Sequence, residues 1–159
     1  MIFSIVILIL SLDQLTKFLV TKKLLLNQSL PIIRGIVHFT LIHNRGAAFG
    51  LLKNQVYLFI LTSIFAIILI YLGLKNTKHK KLSVYPAPAR RSGIYTLSLS
   101  LILAGALGNL VDRLCLGYVI DFLDLRIWPV FNIADSAITI GAILLGWSIL
   151  FKKDASSNL

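Results

Sequence analysis

Four stretches of this chain, roughly residues 2–20, 56–74, 93–111 and 131–151, are apolar over long runs. Each approaches the ~20 residues a helix needs to cross ~30 Å of hydrocarbon. Nothing else in the sequence restricts the fold as much, because a segment in lipid must satisfy its own backbone N–H and C=O groups and so becomes a helix. Composition agrees: 57% of the 159 residues are hydrophobic and only 14% are charged, too few to cover a water-soluble domain. Lys and Arg number 16 against 6 acids. They flank the apolar runs, as where a chain meets anionic headgroups, rather than forming a nucleic-acid stripe.

The chain reads as one unit, residues 1–159, without internal repeats. Met1 to Leu12 has no basic leader and no small-residue cleavage site, and Asp13 and Lys17 follow, so a retained first helix is expected. Four spans put both termini on one side. The 75–93 loop packs six Lys/Arg into 19 residues and the C-terminus adds Lys152 and Lys153. The opposite side holds seven basic residues against these eight. The raw count is nearly even, and density assigns the loop and termini to the cytoplasm. Between the first two spans, about residues 27–53, "SLPIIRGIVHFTLIHNRGAAFGLL" is rich in Ile, Val, Phe and Thr and punctuated by Pro31 and Asn44-Arg45-Gly46. That is a hairpin signal, too apolar for a free loop, and it is expected to rest on the membrane surface. A re-entrant helix is the alternative.

All six acids are aspartates, and four lie between Asp112 and Asp135. A carboxylate in mid-bilayer costs about 2.5–3.5 kcal/mol on insertion scales, so each position asks for a reason. Asp112, beside Arg113, is either a solvated charge at the end of the third span or part of a site. Asp124 reads as a partner for Arg126 in a headgroup-level loop. Asn132 and Asp135 read as the N-cap and N3 residues of the fourth helix, where the helix dipole also favours an anion. Asp121, inside "YVIDFL", has no such local explanation. The fourth span begins on the face where the third ends, so the 13 residues separating Asp121 from Asp135 can double back and bring the two carboxylates together. Two carboxyl groups sharing a site cannot both ionise, and such a pair can activate water and protonate a leaving amine.

Asp13 and Lys17 in "DQLTK" stand i, i+4 on one helix face. They are either an ion pair anchoring the helix near the surface or part of the polar site. Asn109 and Arg113 repeat that spacing on the third span and can bond a backbone group or the carboxylates. Asn44 is either a turn residue or a ligand.

The strings "DQLTK", "HNRGAAFG", "GNLVDR", "GYVIDFLD" and "FNIADSAITIG" occur in the order and approximate spacing of the bacterial lipoprotein signal peptidases (signal peptidase II), and the resemblance spans essentially the whole chain. It implies an all-α membrane fold of four transmembrane helices, with a small extracytoplasmic β-rich cradle between helices 1 and 2. It also implies an aspartyl endopeptidase that removes the signal peptide from prolipoproteins, N-terminal to a diacylglyceryl-modified cysteine. Carried over by motif, the catalytic pair falls on Asp121 and Asp135. The supporting positions fall on Asp13, Lys17, Asn44, Gly46, Asn109, Arg113 and Asn132, and Asp112 stays outside the set. The implied partners are lipidated prolipoproteins and membrane lipids, with no nucleic acid, no cofactor or metal, and a monomeric enzyme. The implied location is the bacterial cytoplasmic membrane, with the active site at its extracytoplasmic face.

Other readings stand beside this one. His38, His43 and His79 do not have zinc-ligand spacing. Cys115 acting as nucleophile with His43 as base is conceivable, although a lone Cys among apolar residues is ordinarily a packing residue. A proton or cation relay would use intramembrane carboxylates too, but would spread them through the bilayer, whereas Asp121 and Asp135 share one face. An assembly factor would have no need of both.

Overall fold

The first apolar run forms α1 (Ile2–Lys23), and it is built inside out. Its buried residues are Asp13 and Lys17, while Phe3, Ile7, Leu8, Leu15 and Phe18 stand exposed. A water-soluble helix shows the reverse pattern. Here the outward face meets lipid and the charges face protein. The computed structural model describes residues 2–46, 55–79 and 89–150. The order continues with β1 (Ser29–Ile33), β2 (Val37–Asn44), α2 (Val56–His79), α3 (Ala89–Leu116), β3 (Val119–Asp124) and α4 (Ile133–Leu150). All four helices are long and apolar enough to cross a membrane.

Helix α3 is central, packing against the other three and most extensively against α4. Small residues permit that approach. A methyl group added at Gly141 of α4 would stand 2.8 Å from the Ser98 carbonyl, and one at Gly105 of α3 would run into the backbone of Ala134. Buried Ser98 and Ser100 return their hydroxyls to Ile94 and Thr96 carbonyls at 2.7 Å, so both are paired within their own helix. Gly117, with φ at 77°, ends α3 in the left-handed conformation, and its N–H reaches the Arg113 carbonyl at 3.1 Å.

The expected hairpin forms as β1 and β2, and a third strand joins it from the α3–α4 connection. The sheet is antiparallel in the order β1-β2-β3. Its register pairs His38 with Asp124, Ile42 with Asp121 and Asn44 with Val119. A polar network fixes one end of it. Thr40 Oγ1 donates to Asp124 Oδ2 at 2.7 Å, Arg126 Nη2 meets His38 Nδ1 at 2.9 Å, and Ser29 bonds both His38 and Thr40. The expected Asp124–Arg126 pair is present at 3.4 Å, and the Arg126 N–H donates to Asp124 Oδ1 at 2.9 Å. That backbone bond accounts for the positive φ of Arg126, 67°. After β3 the chain turns back, and Phe131 exchanges backbone bonds with Leu123. The sheet therefore closes over the end of the bundle where α1 and α3 finish and α2 and α4 begin.

Candidate active site

The fourth helix supplies the first carboxylate through its own cap. Asn132 Oδ1 accepts the Asp135 N–H at 2.8 Å, and Asp135 Oδ2 accepts the Asn132 N–H at 3.3 Å. This is the reciprocal capping arrangement, with Asp at N3. Asp135 therefore sits at the helix mouth, as its spacing from Asn132 suggested, rather than in mid-bilayer. Its other oxygen, Oδ1, accepts from Asn109 Nδ2 of α3 at 2.8 Å.

The second carboxylate, Asp121, comes from β3 and is 2% exposed. Asn44 Nδ2 of β2 donates to its Oδ2 at 2.8 Å, and Asn132 Nδ2 donates to its Oδ1 at 2.8 Å. Asn132 is thus shared: its amide oxygen holds the Asp135 backbone and its amide nitrogen holds the Asp121 carboxylate. Burial and the neighbouring charge of Asp135 push the Asp121 pKa up to about 7, against the opposing pull of Asn44, Lys17 and Asn132. A carboxyl group so placed exchanges its proton near neutral pH, as a general acid or base requires.

Behind the pair lies a buried charged layer. Lys17 Nζ meets Asp13 Oδ2 at 2.8 Å, Asp112 Oδ2 at 2.8 Å and Asn109 Oδ1 at 3.2 Å, so all three ammonium protons have acceptors. Asp13 is 0% exposed, and Lys17 and Asp112 are each 2% exposed. The Asp13–Lys17 pair is therefore internal and not an anchor at the membrane surface: lipid takes the opposite face of α1, and these charges find partners only toward α3 and α4. Nor is Asp112 a solvated charge, because Lys17 and Gln14 draw it inward, the latter donating at 3.0 Å. Gly108 makes room for this layer, since a methyl group there would stand 2.6 Å from Asp13 Oδ2.

Of the residues expected to support a site, Asp13, Lys17, Asn44, Asn109 and Asn132 join Asp121 and Asp135 in this connected network. Gly46 contributes its N–H, which donates to Asn44 Oδ1 at 2.9 Å and sets the orientation of that amide. Arg113 lies within electrostatic range of Asp135, Asp121 and Asp112, with its guanidinium over the Phe59 ring at 5.1 Å. Residues 47–54, at the far end of the apolar segment expected to rest on the membrane surface, lie outside the described residues. Asp112, which the sequence left open between a solvated charge and a site residue, joins this network, and Gln14 was not anticipated. The signal available for them was the small-residue run around Gly105 and Gly108, which announces close helix approach and hence an inward face for Asp112. Cys115 is exposed on α3 rather than packed, and His43 stacks on Tyr118 at 3.9 Å, its pKa lowered by burial and by Arg45. Among the described residues, no group of three or more His, Cys, Asp or Glu side chains could hold a metal ion.

Fold and site together define a multi-pass membrane protein with two carboxyl groups, Asp121 buried and Asp135 partly buried, brought together around Asn132, the arrangement of an aspartic hydrolase. Comparison with known proteins is specific. The profile of the family described as signal peptidase (SPase) II matches residues 5–151. The lipoprotein signal peptidase of Halothermothrix orenii is 46% identical over 145 residues, covering 91% of this chain and 92% of that protein. That of Moorella thermoacetica is 46% identical over 144 residues, covering 91% and 89%. A solved structure titled as a bacterial membrane enzyme, determined by the in meso method at 2.3 Å, superposes with a TM-score of 0.82 at 28% identity, covering 99% of this chain and 92% of that one. The chain belongs to the signal peptidase II family, and it is a membrane-embedded aspartic peptidase of bacterial type.

Proposed function

We propose that Asp121 and Asp135 are the catalytic dyad with which this enzyme removes the signal peptide from prolipoproteins, cutting N-terminal to a diacylglyceryl-modified cysteine. One observation carries the assignment: two carboxylates from different elements converge on one residue, Asn132, whose Nδ2 donates to Asp121 and whose backbone N–H donates to Asp135, with the Asp121 pKa raised to about 7. The pair holds one proton between them. The ionised member takes a proton from water as it attacks the scissile carbonyl. The protonated member donates a hydrogen bond to the carbonyl oxygen, whose charge grows in the transition state. Return of a proton to the departing nitrogen completes cleavage. Asn44 and Asn132 hold the Asp121 carboxylate in one orientation throughout, which removes the need for solvent to reorganise.

The dyad lies beneath the sheet at the end of the bundle, so a signal helix lying in the bilayer presents its membrane-surface end to it. Acyl chains on the cysteine, each buried CH₂ contributing about 0.8 kcal/mol, hold the scissile bond at that depth. Arg113, cationic and beside both carboxylates, positions the substrate backbone. The dense basic loop near residues 75–93 supports a cytoplasmic assignment for the opposite end and for both termini. That puts the dyad at the extracytoplasmic face. Exposed Ile127 and Trp128 beside β3 suit the lipid headgroup layer at that face. A proton relay is disfavoured because α2 from Val56 to Gly73 and α4 beyond Asp135 contain no ionisable acid through the depth of the membrane.

The test is cleavage of a diacylglyceryl-modified prolipoprotein by purified enzyme in detergent or lipid, beside an unlipidated control. Wild type is expected to cut the lipidated substrate before its cysteine, and Asp121→Asn and Asp135→Asn are each expected to be inactive while folded. Near-normal activity in either variant removes that residue from the dyad.

A further inference from the structure

The two carboxylates behind the dyad are placed in the same way. Asp112 Oδ2 accepts the backbone N–H of Ile120 at 3.1 Å, and Ile120 immediately precedes Asp121. Asp13 Oδ1 accepts the backbone N–H of Ala134 at 2.9 Å, and Ala134 immediately precedes Asp135. Lys17 joins these two anchors, its ammonium 2.8 Å from an oxygen of each. It also holds Asn109, which donates to Asp135 at 2.8 Å. Arg113 of α3 is a further charged group within electrostatic range of Asp121, Asp135 and Asp112, and it stays in place in every variant used below.

We propose that Asp13, Lys17 and Asp112 form a buried yoke that sets the separation and charge of the catalytic pair, and that Asp112 is a positioning residue for this enzyme. Each arm grips the peptide unit one residue before a dyad aspartate, so its length fixes where that Cα stands. Such control matters because a displacement of about 1 Å at a reacting group can cost about 100-fold in rate. Charge is the second function. One ammonium between two carboxylates leaves the yoke with a net negative charge behind the dyad, and the Lys17 charge that would favour ionised Asp121 is more than neutralised. Gln14 completes the arm by donating to Asp112 Oδ1 at 3.0 Å and to Asp13 Oδ2 at 3.2 Å, tying the two carboxylates across the α1–α3 contact.

The inference rests on the dyad assignment above, and its test keeps the two apart. Asp112→Asn retains an oxygen for the Ile120 N–H and removes the charge. With lipidated substrate it is expected to lower kcat about 10- to 100-fold with KM little changed. With the net charge of the yoke raised from −1 to zero, the Asp13–Lys17 pair alone remaining, the dyad loses its shared proton more easily. The alkaline limb of the kcat profile is therefore expected to move to lower pH by about half a unit or more. A merely structural role does not produce that shift. Lys17→Met combined with Asp112→Asn restores the original net charge of the yoke and is expected to return the limb toward wild type. Gln14→Leu is the milder variant, kept in case Asp112→Asn does not fold; it leaves the charge of the yoke unchanged and is expected to lower kcat by a smaller factor, with KM little changed and the limb unmoved. A folded Asp112→Asn enzyme with wild-type kcat and an unmoved limb overturns the yoke, and so does a change confined to KM. If Asp112→Asn does not fold, a Gln14→Leu enzyme of unchanged kcat, or one changed only in KM, overturns it equally. Asp121→Asn run in parallel separates the failures, since its retained activity removes the dyad itself, whereas its inactivity beside a normal Asp112→Asn enzyme removes only the yoke.

Discussion

Asp121→Asn is expected to abolish activity and yet make the protein more stable at alkaline pH. Folding takes this carboxyl group from an ordinary value of 3.8 to about 7, through burial first and the charge of Asp135 second. A group whose folded pKa is raised contributes stability that is complete below its unfolded pKa and lost as pH rises through its folded one. The window here is therefore about pH 4 to 7, and above it the native state carries a buried anion beside another. A rise of about three units corresponds to roughly 4 kcal/mol, at 1.36 kcal/mol per unit. The neutral amide escapes that cost but meets another. Both Asp121 oxygens accept protons, from Asn44 and from Asn132, so an NH₂ in place of one oxygen faces a donor. Such a mismatch costs about 1–3 kcal/mol. The net expectation is a gain of about 1–3 kcal/mol at pH 8, and none or a small loss at pH 5. Unfolding in a mild detergent, followed at both pH values for wild type and variant, reads the effect directly. Wild type should lose stability between pH 5 and 8, while the variant should show much less of that slope. Equal slopes would mean that Asp121 is not the group held protonated by the fold, and the reasoning behind its general acid–base role would collapse with it.

Three further expectations follow from the geometry. Asn132→Ser retains an N-cap oxygen but loses the amide that holds Asp121, so it should be nearly inactive. Asn132→Ala should be inactive too and a further ~1 kcal/mol less stable, and activity and melting measured together distinguish cap from amide. Gly108→Ala places a methyl group 2.6 Å from Asp13 Oδ2 and should cost about 1–3 kcal/mol, whereas Gly146→Ala, with nothing within 4 Å, should be neutral or slightly stabilising in the same melting experiment. Thr40→Val removes the 2.7 Å donor from Asp124 and should destabilise the sheet by about 1–2 kcal/mol, read as faster amide exchange in β2 and β3. Burial alone would raise the Asp124 pKa, but bonds from Thr40 and the Arg126 N–H and the charge of Arg126 lower it. The sheet's share of stability from this group is therefore present at neutral pH and lost as pH falls through the folded pKa.

The active site is made of parts that differ in how locally they are determined. The cap that presents Asp135 is a bond between residues three apart, Asn132 and Asp135, and the Asp13–Lys17 pair is a bond between residues four apart. Both are fixed by helix geometry alone. The same holds for the four spans, which follow from run length and the need to satisfy backbone groups in lipid, and for the hairpin, which follows from its β-branched residues and its turn. The motifs that resemble the signal peptidase II family extended that reading to Asp121, whose proposed role has no local signature.

What only the tertiary structure decided is where the charges behind the site point. Asp112 beside Arg113 looks in sequence like a solvated pair, because adjacent residues on a helix face different ways and nothing local says which way is inward. Its burial depends on α1 arriving with Lys17 and Gln14, and on Gly108 leaving room for that approach. Asp13 finds the N–H of Ala134 across 121 residues, and β3 becomes a strand because the α1–α2 hairpin offers it an edge. The sequence determined the four helices, the β1–β2 hairpin and which groups can cap a helix, since those depend on contacts within one turn or one hairpin. The pairing of two distant anchors through one lysine depends on three helices meeting at a fixed distance, and only their packing sets that distance.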